Sequence, residues 1–166
     1  MNFWFIGLLI VAIALILGPI AMLRPNPTQK RKEQLRKRAS EQGIRFTMRR
    51  LPALKTNMEA PPVVPVYFLP PPANTHFQDD WILMRTEYEH EGNFYKEWDW
   101  QSGARPSEAI CKTLKASLPD LPLSVPAIAQ GKSGSCIFWR EVEGETELSK
   151  LISLLRALDA QLNLAA

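Results

Sequence analysis

The chain has 166 residues, about the length of one domain. Hydrophobic residues make up 46% and charged residues 22% of it, which excludes a wholly disordered protein. Two cysteines without a C-x-x-C pair exclude a disulfide scaffold and a zinc or redox motif, and two histidines, His76 and His90, leave little material for a metal cluster. We therefore expect neither a metal nor a cofactor.

The net charge of +3 conceals an uneven distribution. Residues 24–50 contain ten Lys/Arg against two Glu, a local charge of +8, whereas residues 51–166 contain ten Lys/Arg against fifteen Asp/Glu, a local charge of −5. No aromatic side chain lies between Thr28 and Arg45 to stack on bases. The basic segment therefore does not indicate nucleic-acid binding.

Residues 3–23 carry no charge and predict a transmembrane anchor, because a helix of that length matches the ~30 Å hydrocarbon core. A cleaved signal peptide would begin with a basic region, which is missing here. The flanking Lys/Arg all follow the segment, so we expect the N-terminus outside and the rest of the chain in the cytoplasm. The layout predicts a single-pass protein of a bacterial inner membrane.

Small residues in this segment recur at spacings of four, three, four and three. On a helix they would share one narrow face, along which a neighbouring helix could approach closely. The strip predicts a protein partner that has its own transmembrane helix. Its members are Gly7, Val11, Ala14, Gly18 and Ala21.

A basic juxtamembrane helix is predicted within residues 24–43, starting at Thr28 as N-cap and ending before Gly43. Its apolar stripe, Leu35 and Ala39, is narrow, and its charges suit anionic lipid headgroups. The alternative is that these charges only determine topology. The candidate lipid-binding residues are Lys30, Arg31, Lys32, Arg36, Lys37 and Arg38.

The start of the chain resembles the translocase-associated YajC proteins. The resemblance covers about the first 35 residues and depends on an apolar segment followed by Leu23-Arg24-Pro25 and Lys30-Arg31-Lys32. Nothing after residue 43 resembles the short β domain of that family. The resemblance therefore implies no function for this chain.

Residues 44–166 are predicted to form a small cytoplasmic domain. Alternation over residues 44–49 favours a half-exposed strand. The proline-rich segment 60–72 favours another strand, which its prolines should confine to a sheet edge. Leu69-Pro70-Pro71-Pro72 could be a polyproline ligand, but we favour a rigid linker.

Two strand-like runs, Trp81–His90 and Phe94–Trp100, predict a hairpin around Glu91-Gly92-Asn93. A three-residue loop would set Met84 opposite Trp100, Arg85 opposite Asp99 and Thr86 opposite Trp98. An acidic outer face would follow, to which a basic partner could bind. Its members are Glu87, Glu89, Glu97 and Asp99.

Two helices and a second hairpin complete the domain. Ser107 should cap a helix that runs to Leu118, and a leucine stripe predicts another over residues 145–162. Residues 125–130 and 135–142 read as strands around Gly131-Lys132-Ser133-Gly134. A phosphate-binding loop is excluded there, because Pro126 replaces the required glycine and a strand follows.

The sequence thus predicts an α+β fold, with a transmembrane helix, a basic helix and a domain of mostly antiparallel sheet with two helices. It contains no catalytic constellation, so we expect no enzyme. The leading hypothesis is an accessory or scaffold protein that binds a partner in a membrane assembly. The alternatives are a tethered enzyme or ligand-binding domain, with the Trp-rich hairpin 81–100 as a pocket wall, and a periplasmic domain that binds glycans.

Overall fold

A computed structural model describes residues 3–22, 26–53, 60–71 and 80–165, with side chains omitted at 18–22 and 162–165. His76, Leu23, Pro25 and Pro72 therefore lie outside the described residues. Contacts divide the chain into two units, Met1–Gln34 and Leu35–Ala166. The first unit contains helix α1 (Phe3–Met22) and the beginning of helix α2 (Pro27–Glu41).

Helix α1 corrects the prediction of a membrane anchor over residues 3–23. Within the described residues, no helix has both the length and the apolar character that crossing a membrane requires. On this finding the single-pass, inner-membrane interpretation is wrong.

Helix α2 was predicted within residues 24–43, and its N-cap lies two residues earlier than expected. Asn26, not Thr28, caps it, because the Asn26 Oδ1 accepts a hydrogen bond from the Thr28 N–H at 3.2 Å. Gly43 ends it with φ +82, while the Ile44 N–H donates to the Ala39 carbonyl at 3.0 Å. The glycine turns the chain directly into the first strand.

The second unit contains a six-stranded sheet in which every neighbouring pair is antiparallel. The strand order is β1-β2-β6-β5-β3-β4. The strands are β1 (Arg45–Arg50), β2 (Val63–Leu69), β3 (Trp81–Arg85), β4 (Trp98–Trp100), β5 (Ala127–Gly131) and β6 (Gly134–Phe138).

Alternation along the strands produces two apolar faces. One face carries Tyr67, Leu83, Ile128 and Ile137 and is covered by α2, by helix α3 (Glu108–Ser117) and by helix α4 (Glu145–Ala165). The opposite face carries a smaller cluster of buried apolar side chains. They are Leu51, Val64, Val66, Met84, Ala127, Ala129, Cys136 and Phe138.

The predicted helices α3 and α4 are confirmed. The Ser107 hydroxyl accepts from the Ile110 N–H, and a 3₁₀ turn over Leu118–Asp120 follows α3. The leucine stripe of α4 is buried at 148, 151, 155 and 158, and the side chain of Leu162 lies outside the description. Leu154 is also buried in the core.

Two predictions about strands are wrong. The first hairpin is displaced by one residue, with Leu83 opposite Trp100 and Arg85 opposite Trp98, because its connection spans residues 86–97 instead of three residues. Strand β2 lies inside the sheet, not at its edge. Pro65 has no N–H to donate, but it lies just beyond the regular β2–β6 register, where this loss interrupts no ladder. Its carbonyl still accepts from the Trp139 N–H at 2.9 Å.

Candidate interaction site at the outer edge of strand β1

Strand β1 is the first strand of the sheet, and in the described residues its outer edge has no neighbouring strand. The direction of its backbone groups follows from one hydrogen bond. The Leu51 N–H donates to the Pro62 carbonyl at 3.1 Å, so Leu51 faces β2. Because backbone groups alternate in direction along an antiparallel strand, the N–H and C=O groups of Phe46, Met48 and Arg50 face outward.

The position of Pro65 supports this assignment independently. Pro65 lies opposite Met48 and has no N–H. Its carbonyl accepts from the Trp139 N–H, on the β6 side of β2. The Met48–Pro65 pair therefore exchanges no backbone hydrogen bonds, and the backbone of Met48 is available at the open edge.

The side chains along this edge carry positive charge. Arg45 and Arg50 are exposed, and the guanidinium of Arg49 lies 5.7 Å from the centre of the Phe68 ring. Met48 is 50% exposed, an unusual position for a large apolar side chain at a sheet edge. The edge thus combines backbone groups that have no neighbouring strand among the described residues, three arginines and one exposed apolar side chain.

An ion pair fixes α2 against the strand. Arg36 donates from Nε to Oε1 and from Nη2 to Oε2 of Glu141, each at 2.7 Å, and the Tyr67 hydroxyl donates to Oε1 at 2.7 Å. The Arg36 guanidinium lies 4.2 Å from the centre of the Phe46 ring. Burial of Leu35 and Ala39 completes the contact, so the helix supports the strand from the covered face.

The carboxylate of Glu141 is completely buried. Hydrogen bonding to Glu141 raises the pKa of Arg36, and burial raises the pKa of Tyr67. Both groups therefore keep their protons near neutral pH and act as donors. The arrangement is a charge-assisted network that orders the edge, without a nucleophile or a proton acceptor facing solvent.

The loop after β6 places Glu141 in this position. Trp139 Nε1 donates to Glu143 Oε2 at 2.8 Å and to Ser124 Oγ at 3.1 Å, and the Ser124 hydroxyl donates to Glu143 as well. Glu141 itself has φ +57, a left-handed conformation that is uncommon for a residue with a side chain.

The sequence contained a pattern that indicates a buried Glu141, and our prediction did not use it. Residues 135–142 were predicted as a strand, and Glu141 shares the parity of Ile137 and Trp139, which are both fully buried. A carboxylate at a core position requires a cationic partner. Arg36 was instead grouped with the lipid-binding residues.

The structure separates the six predicted lipid-binding residues. Arg36 bonds Glu141, and Arg38 forms an ion pair with Glu145 at 2.5 Å. Lys30, Arg31 and Lys37 are exposed, and Lys32 is half-buried. The expectation of lipid binding stays a prediction that now has fewer available charges.

The predicted acidic surface is also divided. Glu97 forms an ion pair with Arg85 at 3.0 Å, and Asp99 lies in β4 opposite Met84. Arg85 additionally donates to the carbonyls of Leu121 and Pro122. Glu87 and Glu89 are exposed and lie beyond the end of β3. Among the four predicted residues, Glu87 and Glu89 are the exposed ones, and no ion pair is described for either of them.

The strip of small residues lies on α1. Gly7, Val11 and Ala14 are exposed there, and the side chains of Gly18 and Ala21 lie outside the description. The strip was interpreted through packing inside a bilayer, and the correction to the anchor removes that context. Its role as a helix-contact face is untested.

The tryptophans of the hairpin do not form an open pocket wall. Trp81 and Trp98 are buried in the core, and Trp81 Nε1 donates to Gln130 Oε1 at 3.0 Å. Trp100 is half-buried, with its ring centre 4.8 Å from that of Phe94. Three of the hairpin's aromatic side chains therefore serve packing. Residues 89–91 and 93–96 line an open cavity, so the alternative of a ligand-binding hairpin stays a prediction.

Metal and thiol chemistry likewise find no site in the described part of the chain. No group of three or more potential ligands comes together there. Burial raises the pKa of Cys136 to about 11, which suppresses the reactive thiolate. Cys111 is half-buried on α3, and burial raises its pKa too.

Comparisons with known proteins do not assign the chain to a family. No protein-family model, no curated protein and no solved structure matches the chain. The resemblance of the first residues to the YajC proteins therefore has no support from a family match, and the outer edge of β1 has to be interpreted from its own chemistry.

Proposed function

We propose that residues 35–165 form a protein-interaction domain that binds an extended, acidic segment of a partner protein by adding it to the sheet at β1. This is an accessory or scaffold role. The observation that carries the proposal is the outward direction of the N–H and C=O groups of Phe46, Met48 and Arg50. In strand addition such groups supply affinity, and alternate side chains supply specificity.

The charge of the edge determines the kind of segment. Arg45, Arg49 and Arg50 would repel a basic strand, and opposite charges across neighbouring strands are favourable. Met48 adds an apolar surface at the centre of the edge. A segment in which acidic and apolar residues alternate complements both features.

The rigidity of the edge supports the same function. Phe46 is held beneath the guanidinium of Arg36, and β1 is paired with β2 along its whole length. A strand that is already ordered loses little conformational entropy when a partner binds. The network around Glu141 therefore contributes to binding by preorganisation.

Replacing Met48 by proline tests the proposal. The expected result is at least a tenfold loss of affinity, about 1.4 kcal/mol, for a labelled, capped heptapeptide that alternates glutamate and valine. The fold should persist, because the N–H of Met48 faces the open edge, where proline is tolerated. Fluorescence anisotropy of the full chain measures binding, and circular dichroism checks the fold.

Peptide variants provide the matched control. Methylating one alternate set of peptide amides should abolish binding, and methylating the other set should leave it intact, because only one set can bond β1. Equal effects of the two sets would show that the peptide binds by charge alone. Unchanged affinity of Met48→Pro would refute strand addition at β1.

A further inference from the structure

The acidic segment that suits β1 occurs in the chain itself. Residues 86–91 read Thr-Glu-Tyr-Glu-His-Glu, and Glu87, Glu89 and Glu91 alternate with Tyr88 and His90. The alternation predicted a strand as far as His90, yet β3 ends at Arg85. Residues 87–91 are exposed, and Tyr88 is 63% exposed. A segment with the pattern of a strand is thus left without a neighbouring strand among the described residues.

We propose that this segment of a second copy of the chain, Glu87–Glu91, is the strand that β1 receives. This inference rests on the proposed function and names its partner. Strand β1 carries only positive charge, and the segment carries only acidic charge besides its histidine. Such complementarity between two surfaces of one molecule produces a head-to-tail contact between copies.

In the described residues the two surfaces are not paired with each other, although Glu87 lines a cavity together with Leu51 and Pro52, just beyond the end of β1. Strand β1 and strand β4 are the opposite ends of the sheet, which separates them by five strand spacings, roughly 24 Å at ~4.8 Å each. The base of the segment is held at the far end, because the Thr86 N–H donates to the Glu97 carbonyl and Arg85 bonds the Glu97 carboxylate. We therefore place the pairing between two copies.

One antiparallel register satisfies both faces of the added strand. Placing Tyr88 opposite Met48 sets Glu87 opposite Arg49 and Glu91 opposite Arg45. A displacement by two residues would set Arg85 opposite Arg49, or Asn93 opposite Arg45. A displacement by one residue would move the acidic side chains to the face of Phe46 and Met48.

In this register the Tyr88 and His90 carbonyls would exchange donors in the loop for donors in β1. The Tyr88 carbonyl would lose a second donor, because the Asn93 side-chain amide also donates to it at 3.4 Å in the free loop. In the free loop, the Tyr88 carbonyl accepts from the Thr86 hydroxyl at 2.8 Å, and the His90 carbonyl accepts from the Asn93 N–H at 3.0 Å. In the pair, the N–H groups of Met48 and Phe46 would donate to the same two carbonyls. The segment therefore has to straighten, but its carbonyls keep donors.

Cysteine pairs on two differently tagged full-length chains test the contact. A Thr47→Cys chain mixed with a Glu89→Cys chain should form a mixed disulfide, because these positions are directly opposite in a pair without backbone hydrogen bonds, where side chains are closest. We expect oxidation at least ~10-fold faster than for Thr47→Cys with Ser149→Cys, an exposed position on α4, as measured by mass spectrometry. Association through α1 and reaction of the native cysteines would contribute equally to this control pair, so they cannot explain a difference between the two pairs.

Charge reversal distinguishes recognition from loss of fold. Arg45→Glu with Arg49→Glu in the first chain, or Glu87→Arg with Glu91→Arg in the second, should each slow the crosslink, and the two together should restore it. Crosslinking equal to the Ser149→Cys control, or no restoration, would overturn the second copy as partner. If the glutamate–valine peptide still binds in that case, the proposed function stands; if it does not, both proposals fail.

Discussion

Replacing Arg36 by methionine is expected to lower the free energy of unfolding by about 3–5 kcal/mol, the range for breaking a buried ion pair from one side. The Glu141 carboxylate is completely buried, and Arg36 bonds both of its oxygens. Methionine keeps most of the aliphatic stem, so the loss comes from removing the cation beside the buried carboxylate and not from a cavity. Denaturant unfolding of the full chain, followed by tryptophan fluorescence, measures it.

Two further variants make this expectation specific. Arg38→Met removes a pair in which both side chains are about half exposed, and it should cost less than ~1 kcal/mol. Adding Glu141→Leu to Arg36→Met should recover most of the stability, because no charge is then left buried. A loss below 1 kcal/mol for Arg36→Met alone would show that the pair does not hold α2 on the sheet.

Replacing Gly134 by alanine is expected to cost about 2–5 kcal/mol, the sum of a left-handed backbone penalty and of overpacking. Gly134 has φ +91 and begins β6 directly after the turn at Lys132 and Ser133. A Cβ there would overlap the carbonyl oxygen of Leu69 and approach Pro71 Cδ to 3.1 Å. Because the carbonyl belongs to the neighbouring strand β2, relief would require the two strands to separate.

Other glycines supply the controls for this variant. A Cβ at Gly103 would meet nothing within 4 Å, so Gly103→Ala should be nearly neutral. A Cβ at Gly131 would meet the Asp80 carboxylate, the end of an exposed side chain that can rotate away. In thermal unfolding, the midpoint temperature of Gly134→Ala should be far below those of Gly103→Ala and Gly131→Ala. Similar midpoints for all three would contradict the close approach of β6 to β2.

Local patterns were sufficient for the helices of the second unit. Ser107 is followed by an amphipathic run, and the leucine stripe of α4 repeats with helical spacing, so each helix is determined by residues close together in the sequence. The order of the strands was not accessible in this way. It depends on contacts between distant segments, and the sequence pattern is the same for an edge strand and an inner strand.

The hairpin of β3 and β4 shows why the predicted register was wrong. The prediction counted a three-residue loop, but Asn93 bonds the carbonyls of Tyr88 and Lys96, and Lys96 takes a left-handed conformation with φ +49. These bonds lengthen the connection and displace the pairing by one residue. A side-chain bond inside a loop can thus move every later residue to the other face.

The candidate site was only partly foreseeable. The alternation of residues 44–49 predicted a half-exposed strand, which β1 is. Arg36 could not be distinguished from Lys37 within its basic run, because the difference lies in a carboxylate 105 positions away. Its apolar neighbours Leu35 and Ala39 were identified, and they indicated the buried side of the helix without indicating its partner.

The distance along the chain between Arg36 and Glu141 has a consequence for biosynthesis. Arg36 is made 105 residues before Glu141, so at ~5–20 residues per second it exists for roughly 5–20 s before its counter-charge. During this interval α2 and β1 can pair only with early segments, and the basic face of the nascent chain is complete while its anchoring carboxylate is missing. Ribosome-stalled chains ending before residue 141 should expose α2 to proteases, and full-length released chains should protect it. Equal protection of both would show that α2 docks without Glu141. The half-finished protein therefore presents a more basic surface to the cell than the finished one.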